Sequence, residues 1–174
     1  DLLSTAAVAA LSTANTALLS TAQIANLSTN QVTSLANTAL LSTAQIANLS
    51  TKQVTALTTA QVANLTTDQL VALSTAQAAA LTREQASAIS GTYLAKMETA
   101  DIAALSTAAV AALTTANTAL LSTAQIANLS TKQVTALTTA QVANLTTDQL
   151  VALSTAQAAA LTNAQASAIS GTYL

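Results

Sequence analysis

The sequence predicts an all-α fold: a solenoid of short capped helices, one per eight-residue repeat. Three observations predict it. A phrase of eight residues recurs through almost all of the 174-residue chain, as in LSTAQIANLSTKQVTA from Leu41 to Ala56. The phrase holds Ser or Thr at its second position and Gln three residues later, the signature of a helix-starting capping box. The composition offers nothing large to fill a globular centre, because Tyr93 and Tyr173 are the only aromatic residues and most of the hydrophobic content is Ala. Thin layers of small residues therefore have to stack.

The elements follow in order along the chain. Full octads begin at Leu3, Leu11, Leu19 and Leu27, and a six-residue unit, LANTAL, occupies Leu35–Leu40. From Leu41 the frame holds to the end, through units opening on Ile89 and Met97 and a partial unit at Ile169. Position five is Gln in 14 of the 20 full octads, so most units can form both halves of a capping box. The pairs Ser42/Gln45, Ser50/Gln53, Thr58/Gln61 and Ser122/Gln125 are assigned as helix-capping residues on this spacing. Leu41 before the cap and Ile46 inside the helix have the spacing of a hydrophobic staple, and Leu49 falls on the same face as Ile46. One Leu thus closes one helix and opens the next. A single long helix fails, because eight residues at 100° each would advance the Leu by about 80° per unit and smear the apolar stripe. Helices this short are marginal alone and require neighbours.

A longer period lies inside the octad pattern. Ala occupies positions four and seven in the units opening at Leu41, Leu57 and Leu73, as Ala44/Ala47, Ala60/Ala63 and Ala76/Ala79. The alternate units place Lys52, Asp68 or Glu84 at position four, with Thr55, Val71 or Ser87 at position seven. This sixteen-residue alternation predicts two helices per coil, with one charged row of helices and one flat Ala/Thr row. Duplication adds a third level: Leu41–Leu94 recurs at Leu121–Leu174, differing only at Arg83/Asn163 and Glu84/Ala164. The chain reads as a single continuous solenoid over residues 1–174, with tandem long repeats at 41–94 and 121–174 and an irregularity at 35–40.

Composition and motifs exclude most chemistry. Four Lys or Arg against six Asp or Glu give a net charge of −2, and no basic stripe exists to follow a nucleic-acid backbone. His and Cys are absent, which removes imidazole and thiolate ligands and the commonest general base; no metal, cofactor or catalytic residue is expected, and the chain reads as no enzyme. The Ser and Thr residues read as caps rather than nucleophiles. Glu98 and Asp101 stand at positions two and five of their unit and read as replacements for the N-cap and its Gln partner. The longest apolar run is six residues, Ala6–Leu11, far below the roughly 20 needed for a membrane span. Because the sequence opens on Asp1, it reads as a mature product or a piece of something longer. Tyr93 and Tyr173 interrupt the Gln pattern and are candidates for a lateral contact through an exposed aromatic.

The phrases LSTAQIAN, LTTAQVAN and LTTDQLVA resemble the LTTxQV-type octapeptide repeats of very large secreted or surface-attached bacterial proteins, often described as adhesin-like. The resemblance implies an extracellular or cell-surface structural role and brings no site residues with it. LTTDQLVAL is also similar to the first helix of the DNA-reading repeats of TAL effectors, but only over one capped helix, without their second helix, longer period or basic charge. Three functions remain open on this reading. One is a structural repeat of a bacterial fibre, sheath or adhesin stalk that associates with itself through its ends or its Ala/Thr face. The others are an ice-binding solenoid and a passive spacer presenting domains elsewhere.

Overall fold

The computed structural model describes residues 4–11 and 13–170. Among these residues nearly every octad folds as one short α-helix and there is no strand. The local reason is visible at the corner between two octads. After a helix ends at Ala56, Leu57 (φ −55°, ψ 135°) and Thr58 (φ −68°, ψ 158°) are extended, and the next helix begins at Thr59. Two extended residues turn the chain without reversing it. The hydroxyl of Thr58 accepts from the Gln61 amide, which stops the turn from unwinding and starts the new helix.

Each helix packs on the third element before it and the third after it, so three elements make one coil. The first column along the solenoid holds α1 (Thr5–Ala9), α4 (Thr29–Thr33), α6 (Thr51–Ala56), α9 (Thr75–Ala79), α12 (Thr99–Ala104), α15 (Thr123–Ala127) and α18 (Thr147–Val151). The second holds α2 (Thr13–Ala17), a 3-10 turn at Thr38–Leu40, α7 (Thr59–Ala63), α10 (Arg83–Ala88), α13 (Thr107–Ala112), α16 (Thr131–Ala136) and α19 (Thr155–Ala160). The third holds α3 (Thr21–Ala25), α5 (Thr43–Ala47), α8 (Thr67–Val71), α11 (Gly91–Leu94), α14 (Thr115–Ala119), α17 (Thr139–Ala143) and α20 (Asn163–Ser170).

The expectation of two helices per coil is therefore corrected to three. A two-helix coil needs the chain to reverse at every corner, and the extended pair at each Leu-Ser/Thr junction does not reverse it. The sixteen-residue alternation is a property of the outer surface and does not set the coil. Three octads per coil put it out of phase with the columns: Lys52 and Asp148 fall in the first, Glu84 and Lys132 in the second, and Asp68 in the third. The segregated charged and Ala/Thr rows do not form. The six-residue unit at 35–40 still fills one side of a coil, as the 3-10 turn, so the columns stay in register across it.

Positions one and six of each octad face inward. Leu49 and Val54, Leu57 and Val62, Leu65 and Leu70 are all buried, and the inward residues of successive coils form one continuous apolar cluster. Each such side chain contributes about 1.5–3 kcal/mol on burial, which makes this row the main source of stability. Among the described residues no helix is long and apolar enough to cross a membrane.

Candidate functional site: the glutamine ladder

The chemistry of this chain is concentrated in its position-five side chains. In α5, the Ser42 hydroxyl accepts from the Gln45 amide while Gln45 Oε1 accepts from the Ser42 amide. The same reciprocal pair joins Ser50 and Gln53 in α6, Thr58 and Gln61 in α7, and Ser122 and Gln125 in α15. Gln45, Gln53, Gln61 and Gln125 are buried, which a surface cap would not be.

The other end of the amide explains the burial. Gln77 Nε2 donates to the carbonyls of Ile46 (2.9 Å) and Leu49 (2.7 Å), one coil earlier. Gln53 does the same to Ile24 and Leu27, Gln125 to Leu94 and Met97, and Gln157 to Ile126 and Leu129. Those carbonyls stand at helix ends and corners; the Ile46 carbonyl also accepts from the Leu49 amide at 3.1 Å, and the Gln amide adds the donors that these buried groups would otherwise lack. One Gln thus starts its own helix and ties it to the coil below. Sequence spacing finds the first role because both partners lie within one octad; the second joins residues 28 and 31 positions apart.

The ladder is interrupted where Gln is replaced. Asn117 is one methylene shorter, and its Nδ2 still donates to the Ile89 carbonyl at 2.7 Å. Gly91 makes this possible. A Cβ on Gly91 would lie 2.8 Å from Asn117 Oδ1 and Leu120 Cδ1 and 2.9 Å from Asn117 Cα, so α14 can approach α11 only because position 91 has no side chain. Asp101, also buried, accepts from the Thr75 hydroxyl at 2.8 Å. Glu98 makes no side-chain cap, so the expected Glu98/Asp101 capping pair does not form; the shorter Asp101 side chain is engaged with the preceding coil instead.

Tyr93 is partly buried against the core, unlike the exposed aromatic that a lateral contact requires. Tyr173 lies outside the described residues. The large side chains that do project are aliphatic: Leu18, Leu120 and Val151, the first 80% exposed. Position eight of the ANTAL units and position seven of the TDQLV units supply them; the sixteen-residue pattern uses position seven only to define an outer row and does not single out these apolar side chains.

A family model of the ALTTAQ repeat matches residues 39–67, 94–131 and 119–147. No curated protein and no solved structure matches the chain. The matched segments begin and end within octads of the same solenoid and run through all three columns, and they mark the chain as a repeat protein.

Proposed function

We propose that the chain is a structural rod of a bacterial extracellular fibre, sheath or adhesin stalk, lengthened by stacking coil face on coil face. One observation supports this most directly. Where the ladder is complete, a coil presents amide donors on one face and paired carbonyls with an apolar centre on the other, so these two kinds of face are complementary to each other. In the first coil Gln23 keeps its capping box but is exposed, whereas the ladder glutamines above it are buried. In the last coils Leu150, Leu153 and Leu161 are only partly buried, whereas Leu residues at the same octad positions in inner coils are fully covered. The next coil is supplied either by a second copy or by flanking repeats of the same kind, stacked coaxially. The role is mechanical, with no catalysis and no cofactor, and the site of action is the cell surface or beyond.

The test uses Gln23→Glu. A Glu still closes the capping box at Ser20, so the variant folds, but it sets an anion against the carbonyls of the docking coil. Sedimentation velocity and negative-stain imaging of the purified wild-type chain are expected to show rods longer than one chain, and Gln23→Glu is expected to shorten them. Rods of single-chain length at every concentration, or undiminished length in the variant, reject joining through these faces. The ice-binding and spacer readings gain no observation of their own.

A further inference from the structure

The coil interface beneath α11, α12 and α13 has lost its glutamines on all three sides at once. Position five there is Tyr93, Asp101 and Ala109. By the spacing of the ladder these residues should donate to the carbonyls of Leu65, Leu73 and Leu81; among the described residues no amide reaches any of the three, and the one polar link across the interface is Thr75 to Asp101. The caps weaken at the same place, since neither Ser90 nor Glu98 makes a side-chain cap bond. Below this level the ladder is unbroken from Gln45 to Gln85, and above it from Gln125 to Gln165. The hydrophobic core, by contrast, passes straight through by way of Ile89, Met97, Ile102 and Leu105.

We propose that this interface is a compliant seam, at which the rod opens and bends before it does so elsewhere. Hydrogen bonds fix the register of one coil on the next because they are directional; apolar contact is not directional and holds coils together without fixing their rotation. The small Ala86 and Ala109, both fully buried, pack α13 on α10 and replace the amide contact with dispersion alone. The lower side of the seam and α11 lie in the first long repeat while α12 and α13 lie between the two repeats, so the ladder-complete stretches below and above it move as units. A solenoid with equal interfaces frays from its ends and is most protected in the middle. The seam reverses that order, because it lies in the fourth and fifth of the seven coils that the described residues form.

Hydrogen–deuterium exchange read by peptide on the full chain tests this, and the result does not depend on whether rods join end to end. Amides in residues 89–113 are expected to exchange at least tenfold faster than those in residues 121–145. Asp101→Gln, which restores one rung, is expected to slow exchange in residues 89–105. The converse variant, Gln125→Ala with Gln133→Ala and Gln141→Ala, strips a complete interface and is expected to create a second fast block at residues 121–145, and it decides the matter if Asp101→Gln does not fold. Protection that rises smoothly to the middle of the wild-type chain, or a triple variant with unchanged exchange, overturns the proposal.

Discussion

Gln77 and Ser74 share one capping box but do not contribute equally to stability. The Ser74 hydroxyl accepts from the Gln77 amide and donates to Gln77 Oε1, both within its own octad, and its replacement by Ala should cost about 1 kcal/mol, the usual loss for an N-cap. Gln77 supplies the reciprocal cap bond and two bonds to the coil below, all from a buried side chain. Gln77→Ala should therefore cost about 2–4 kcal/mol, because it also removes the amide donor of the Leu49 carbonyl and leaves the Ile46 carbonyl with its local backbone bonds alone. Lys52→Ala removes only an exposed side chain and should stay within about 0.5 kcal/mol. Local hydrogen exchange measures all three, and equal losses for Ser74→Ala and Gln77→Ala would show that the inter-coil bonds add nothing. The cap was legible in the sequence because a Ser or Thr and its Gln are three residues apart. The inter-coil half was not, since no local pattern reports where the chain returns, although a Gln kept at one position in a chain so rich in Ala hints at a buried duty.

At the scale of the element, helix length and spacing were legible octad by octad, because each unit carries its own start signal. The pairing of α11 with α14 was not. Gly91 reads in the sequence as an irregularity of the Tyr-containing unit, yet it is one side of a close approach whose other side is Asn117. The short amide and the missing side chain compensate for each other across one coil. Gly91→Ala forces the α14 backbone away and should destabilise the chain by about 1–3 kcal/mol, the range for overpacking a fitted contact. Ala is the better helix former, which offsets at most about 1 kcal/mol of that loss. Adding Asn117→Gln lengthens the amide to span the wider gap, so the double variant should be more stable than the sum of the two changes by about 1 kcal/mol. Thermal unfolding of the four proteins in the cycle gives the coupling directly, and additive effects would mean that the two positions are independent.

At the scale of the molecule, the solenoid was legible and the number of sides was not. An odd number of octads per coil places unlike units above one another, so a sixteen-residue sequence period coexists with a three-sided coil and conceals it. The eighty-residue duplication is shifted in the same way: α5 lies in the third column and its copy α15 in the first, so each long repeat turns its surface by one side. Most interfaces are interchangeable, because any Gln can reach the carbonyls of any preceding octad; only special pairs such as Gly91 with Asn117 tie a given octad to a given neighbour. Deleting Leu129–Ala136 removes α16 and rotates everything above it, and Gln141 then meets the carbonyls that Gln133 used, near Ala103 and Leu105. This variant should retain its melting temperature to within about 4 °C, the shift expected from a loss near 1 kcal/mol. Deleting Met97–Ala104 instead brings Asn117 over the unit containing Arg83, which has a side chain where Gly91 had none, and strands Leu120 without its seat. That variant should melt well below the other although both lose eight residues. Equal melting temperatures would show that octads are interchangeable everywhere, and that the fit of α14 on α11 has no part in setting the register of the rod.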